Sequence, residues 1–83
     1  MVFIYTQPDC HQCEKVKRFF DERDVDYTTR DISEDEDLRD DLIGAGIRSV
    51  PVVVYKELWL VGFDLGKLTE IAERVEADKE SND

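Results

Sequence analysis

The chain's two cysteines, Cys10 and Cys13, stand three residues apart in the run Gln7-Pro8-Asp9-Cys10-His11-Gln12-Cys13. Two thiols at this spacing can exchange with a disulfide: one attacks as a thiolate, a mixed disulfide forms, and the second sulfur displaces the product. Three other uses compete. A structural disulfide across so short a loop gains little chain entropy. A zinc site needs two more ligands, and His11, the sole histidine, lies within the motif, which leaves carboxylates or a second subunit to complete the shell. Burial as two apolar residues suits Cys13 but hardly Cys10, which follows Pro8-Asp9 on a turn. Redox exchange is the favoured reading, with a cysteine-ligated zinc or iron-sulfur module as the alternative of another class. No metal is assigned to the acidic run Glu34 to Asp37 with Asp40 and Asp41, which reads as a solvated helix face.

The chemistry requires elements that present the pair. Val2-Phe3-Ile4-Tyr5-Thr6 is β-branched and aromatic and reads as a strand ended by Gln7-Pro8-Asp9. From Cys10 to about Asp24 the apolar positions Cys13, Val16, Phe19 and Phe20 recur at helical spacing. Cys10 thus falls at a helix N-terminus, where free N–H groups and the positive dipole end favour a thiolate, and Cys13 falls one turn further in. Asp9 and the negative surroundings oppose that effect, so Cys10 is expected to belong to a reductant rather than a strong oxidant.

Residues 25–32 fit a second strand. Ser33 with Glu36 reads as a capping box opening a second helix, with Leu38, Leu42 and Ile43 as its buried stripe and Gly44 and Gly46 as its stop. Residues 51–55 form a third strand, Lys56-Glu57 a tight connection and residues 58–61 a fourth strand. Asp64 caps a last helix whose Leu65, Leu68, Ile71, Ala72 and Val75 share one face. The order β-α-β-α-β-β-α, opening with a right-handed βαβ unit and closing with an antiparallel pair, predicts an α/β domain with a four-stranded mixed sheet and helices on both faces. A CxxC pair beside a βαβ unit reads as a thioredoxin fold. One domain over residues 1–77 is expected, followed by a polar tail, 78–83, that frays.

Composition narrows the partners. With 21 Asp and Glu against 11 Lys and Arg the net charge is −10, which argues against nucleic acid and favours a basic docking face. The acidity is read as a solvated surface, with salt adaptation as a second explanation. No basic leader precedes an apolar run at the N-terminus, and no run approaches the ~20 residues that span a bilayer. A cytoplasmic monomer without membrane attachment is expected.

The run Tyr5 to Cys13, Ser49-Val50-Pro51 and Gly62-Phe63-Asp64 together resemble the glutaredoxin-like proteins, and within them the small NrdH-type redoxins. The resemblance implies that Cys10 attacks and Cys13 resolves, and that Pro51 is cis beside them. It implies that the Val50 backbone hydrogen-bonds an extended substrate, and that Gly62, Phe63 and Asp64 rim the same groove, with Gln7, Pro8, His11 and Gln12 flanking the pair. Two departures bear on the electron donor. Gln7 stands where family members usually carry a lysine, and Val61 replaces the second glycine of the pair that contacts glutathione in them. The resemblance therefore implies a redoxin with no bound cofactor, recharged from NADPH by a thioredoxin reductase and passing electrons to a protein disulfide such as that of ribonucleotide reductase. A glutathione-dependent glutaredoxin is the alternative. Trp59 is read as core or edge packing, and Phe63 as the better candidate for an exposed contact.

Overall fold

The structure, a computed structural model, describes residues 1–81. Its elements are β1 (Val2–Thr6), α1 (His11–Glu22), β2 (Tyr27–Asp31), α2 (Glu36–Gly44), β3 (Val52–Tyr55), β4 (Leu58–Val61) and α3 (Leu65–Ser81). The sheet order is β2-β1-β3-β4. β1 runs parallel to β2, with Ile4 opposite Thr29, and antiparallel to β3, with Ile4 opposite Val53. β3 and β4 form the antiparallel hairpin. The thioredoxin-like α/β architecture is the one expected.

Alternation along β1 sends Val2, Ile4 and Thr6 to one face, where they are buried. There Val2, Ile4, Val53, Tyr55 and Leu60 of the sheet meet Val16 and Phe20 of α1 and Leu68, Ile71, Ala72 and Val75 of α3 in one core. Phe20, fully buried, packs edge-on against Phe19 at 5.4 Å between ring centroids, and burial of such a ring is worth about 1.5–3 kcal/mol. Leu42 of α2 and Val52 are also buried but stand outside this cluster.

Both short helices stop by the same device. At the end of α1 the Asp24 N–H donates to the Asp21 carbonyl and the Val25 N–H to the Phe20 carbonyl at 3.0 Å. Asp24 takes the left-handed conformation between them, φ 56°. The helix therefore ends at Glu22, two residues before the expected Asp24. Val25 belongs to this motif and to the core rather than to β2, which begins only at Tyr27. At the end of α2, Gly46 holds φ 83° and donates to Ile43, while the Ile47 N–H reaches Leu42 at 2.9 Å. Gly44 is the last helical residue, and Gly46 is the stop.

Three further expectations fail. The cap of α2 is Asp35, whose Oδ1 accepts the Leu38 N–H at 3.0 Å. Ser33 instead donates its N–H and hydroxyl to Asp31 Oδ1 at 2.8 and 2.6 Å, closing a local turn. Ile43 is exposed, and of the expected stripe only Leu42 is fully buried, with Leu38 half-buried. Residues 78–81 are not a frayed tail: α3 runs to Ser81, while 82–83 lie outside the described residues.

Asp78 shows what holds the end of α3. Its carboxylate accepts the buried Tyr55 hydroxyl at 2.5 Å and the Lys56 ammonium at 2.8 Å, and Arg74 joins Glu57 at 2.9 Å. The hairpin turn Lys56-Glu57, a poor turn sequence in which Lys56 adopts φ 52°, is thereby clamped to α3. Lys56 and Tyr55 hold the Asp78 carboxyl below the ordinary aspartate range.

Two consequences are measurable. Asp35→Ala should cost about 1 kcal/mol in urea unfolding, the usual value of a lost N-cap, whereas Glu36→Ala should cost far less. An equal loss from both would restore the capping box. Because the folded Asp78 pKa is depressed, its stabilisation is complete above the unfolded pKa and is lost as pH falls through the folded value. Tyr55→Phe should thus lower Tm by a few degrees at neutral pH and by progressively less in acid, with thermal melts across that range as the check.

Candidate functional site

β1 ends at Thr6, and residues 7–9 turn the chain into α1. Asp9 makes the turn with φ 59°, a conformation that Asp tolerates better than most residues. Cys10 follows as the N-cap of α1, with extended backbone, and its Sγ accepts the Cys13 N–H at 3.1 Å. A sulfur here occupies the position usually taken by a Ser or Asp side-chain oxygen. It also sits where the positive end of the helix dipole favours negative charge.

Cys10 and Cys13 are disulfide-bonded, with their Cα atoms 5.2 Å apart. The two sulfurs differ in access. Cys13 points into the interior and is 1% exposed, whereas Cys10 is only half-buried. His11 and Gln12 between them are exposed, as are Gln7, Pro8 and Asp9. The helical period forces this asymmetry, since Cys13 shares the apolar face with Val16 and Phe20.

β3 brings the second segment. The Val50–Pro51 peptide bond is cis, and Cys10 Sγ lies 4.0 Å from the Val50 carbonyl oxygen. Pro51 is buried, and its carbonyl accepts the Gly62 N–H at 2.8 Å, which ties the third segment to the same end of the sheet. Gly62 has φ 86°, and a β-carbon there would sit 3.9 Å from Gln12 Oε1. Glycine is needed for the backbone angle rather than for space. Phe63 is exposed and has the Lys15 ammonium 5.8 Å from its ring centroid. Asp64 Oδ1 accepts the Lys67 N–H at 3.2 Å and so caps α3.

All eleven residues singled out from the sequence therefore belong to three segments, 7–13, 50–51 and 62–64. Close approaches or short bonds link Cys10 to Val50 and Pro51 to Gly62. Trp59 lies at the sheet edge, one of the two places read for it, but is not core. It is 53% exposed on the edge strand β4, more so than Phe63 at 39%. The sequence reading did not single out Arg39 and Arg48, which share a cleft with Gln7 and Val50. The place of Arg48 just before Ser49-Val50-Pro51 was the one available signal. No cluster of three or more His, Cys, Asp or Glu side chains among the described residues is arranged to hold a metal ion. Among those residues, too, no helix is long and apolar enough to cross a membrane.

This arrangement can present one sulfur to a partner while keeping the other in reserve beneath it. The family model Glutaredoxin matches residues 2–59. The glutaredoxin-like protein NrdH of Lactococcus lactis subsp. cremoris is 28% identical over 72 residues, covering 87% of this chain and all of that protein. Its counterpart in Escherichia coli K12 is 32% identical over 62 residues, covering 75% of this chain and 76% of that one. Among solved structures, the Escherichia coli NrdH-redoxin superposes with a TM-score of 0.81 at 28% identity, over 84% of this chain and 92% of that one.

The difference in burial has a direct readout. After reduction, brief treatment with iodoacetamide should label Cys10 at least about tenfold faster than Cys13, because alkylation requires access to a thiolate. Peptide mass mapping of a time course would show this, and equal rates would contradict the assigned asymmetry.

Proposed function

The chain belongs to the glutaredoxin family, in its NrdH-type branch, and from that membership we propose that it is a dithiol reductant of protein disulfides, with Cys10 as nucleophile and Cys13 as resolving thiol. The observation that carries the proposal is the half-buried Cys10 above the buried Cys13 at the N-terminus of α1. In the reduced protein the Cys13 N–H that now meets Cys10 Sγ stabilises a Cys10 thiolate. That thiolate attacks one sulfur of the target, forming a Cys10–target bond and releasing the other target sulfur as a thiolate. Cys13 loses its proton and attacks Cys10 Sγ, which expels the second target thiolate and leaves the Cys10–Cys13 disulfide. Two electrons pass to the target. Two more, from NADPH through a reductase, return the protein to the dithiol.

Val50, Pro51, Gly62 and Phe63 line the approach to Cys10, with the Val50 backbone available to an extended target segment. Asp64 serves through its cap on α3, which sets the direction of that rim. Gln7, Pro8, His11 and Gln12 shape the other wall. A cytoplasmic protein in a reducing compartment suits such a dithiol.

For the electron donor we favour thioredoxin reductase. Gln7 and Val61 lack the lysine charge and the glycine that glutathione-dependent relatives use, and the Escherichia coli NrdH-redoxin has a thioredoxin-like activity profile. The disulfide of ribonucleotide reductase is the target we favour for a protein of this branch.

Cys10→Ser should reduce disulfide turnover to background, and Cys13→Ser should accumulate a mixed disulfide with the target, visible as a mass increase that dithiothreitol reverses. Full turnover by either variant would refute the assigned roles. NADPH oxidation should be rapid with thioredoxin reductase and slow with glutathione plus glutathione reductase; the reverse order would make the protein a glutathione-dependent glutaredoxin.

A further inference from the structure

The sheet has two edges, β2 and β4, and they differ in how they meet solvent. β2 carries exposed Arg30 and half-buried Asp31, charges of the kind that keep a strand edge from pairing with another chain. β4 reads Leu58-Trp59-Leu60-Val61, with no charge, proline or glycine. An uncharged apolar edge of this kind is a template for a further strand.

The free backbone groups of β4 belong to its two exposed residues. Leu58 and Leu60 are in phase with Gly62, whose N–H reaches across to the Pro51 carbonyl at 2.8 Å, and backbone groups alternate in direction along an antiparallel strand. The N–H and C=O of Trp59 and Val61 therefore point away from β3. The side chains of these two residues are exposed on the sheet face that also holds half-buried Phe3 and Val54, so apolar surface runs out to the edge. On the other face β4 and α3 border a shallow cleft lined by Leu58, Leu60 and Ile71, with Lys67 and Glu70 at its rim. Neither Lys67 nor Glu70 forms an ion pair among the described residues.

We propose that two copies of this chain associate through β4, edge to edge and antiparallel, joining their four-stranded sheets into one. A two-fold axis at Leu60 sets Trp59 of each copy opposite Val61 of the other. The outward backbone groups then bond to one another, and each indole lies against a valine across the strand pair. The charges beside the edge fit the same operation. α3 starts beside the Val61 end of β4, and its Arg74 and Asp78 reach the hairpin turn, so Lys67 stands nearer the Val61 end than Glu70 does. Because the axis reverses direction, Lys67 of each copy meets Glu70 of the other. A second copy is the occupant because backbone, apolar side chains and charges are each complementary to themselves about one axis, as an isologous interface requires.

The net charge of −10 opposes the contact only at long range, since in about 0.15 M salt charges more than about 8 Å apart are largely screened. A four-residue edge covers less than the roughly 1,200 Å² at which standard stable interfaces begin, so the dimer is weak and forms at micromolar concentration and above. It replaces the monomer expected from the sequence. The two Gly62 ends point to opposite ends of the joint sheet, which leaves both cysteine pairs open, and the association stands independently of the redox reading.

Trp59 is the only tryptophan, so its emission reports on this face alone. Wild-type protein with the Cys10–Cys13 disulfide intact, in which no thiol can cross-link copies, is followed by sedimentation velocity and by Trp59 emission from micromolar to near-millimolar concentration. The mass should rise from one chain to two, and the emission should move to the blue over the same range. Trp59→Lys, which places a charge on the edge, should keep the protein monomeric. Lys67→Glu, an exposed change outside the core, should raise the dimer Kd about tenfold, the scale of exposed pairs turned from attraction to repulsion. Lys67→Glu combined with Glu70→Lys should restore the wild-type Kd.

A wild type that stays monomeric at every concentration overturns the proposal, and a blue shift of that monomer on adding a reductase or a disulfide target would assign the face to a different chain. A dimer undiminished by Trp59→Lys and by Lys67→Glu overturns it as well, because such a dimer uses another surface. Weakening by Lys67→Glu that the double reversal does not restore overturns the two-fold pairing of Lys67 with Glu70.

Discussion

The antiparallel register of β1 against β3, with Tyr5 opposite Val52 and Ile4 opposite Val53, is the constraint on which the site depends. In that register the end of β1 and the start of β3 meet at one edge of the sheet, so the segment after Thr6 and the segment before Val52 become neighbours. A one-residue slip would turn Ile4 and Val53 out of the core and would carry Val50 away from Cys10. Burial of Ile4 and Val53, both fully inaccessible, therefore positions chemistry that neither residue touches. The Gly62–Pro51 hydrogen bond then draws in the loop after β4.

Rigid ends complete the frame. α1 begins on the sulfur of Cys10 and closes on the bonds that Asp24 and Val25 make to Asp21 and Phe20. The residue that stops the helix is thus adjacent to one that enters the core. At the opposite end of the molecule from the cysteines, the Tyr55–Asp78 bond and the Lys56 and Arg74 ion pairs hold the hairpin to α3. The ion pairs are exposed and individually weak. The buried Tyr55 ring and its hydroxyl, satisfied by a carboxylate, are the firmer part of the clamp.

Much of this arrangement was legible in the residues. Seven elements in their order, the cysteine pair at a strand-to-helix junction and the Pro51 segment beside it all followed from periodicity, turn chemistry and a family resemblance. The misreadings have physical causes. Ser33 and Asp35 are both competent caps, and the choice depends on Asp31, which captures Ser33 in a turn two residues earlier. Ile43 satisfies the helical period as well as Leu42 does, but the period cannot say which side of a short helix meets a partner. Residues 78–81 look like a polar tail because the partner that orders Asp78 is Tyr55, 23 positions away.

The sequence by itself determined the chemistry available, because only two thiols exist and their spacing of three places both on one turn of any helix that contains them. It also determined which of them faces inward, since Cys13 is in phase with Val16 and Phe20. Tertiary structure decided what surrounds them. The proximity of Val50 to Cys10, the bond between Gly62 and Pro51, and the cleft that gathers Arg39 and Arg48 all join residues far apart in the chain. Local propensity carries no information about such neighbours; they are set by strand register and helix packing, which are properties of the whole core.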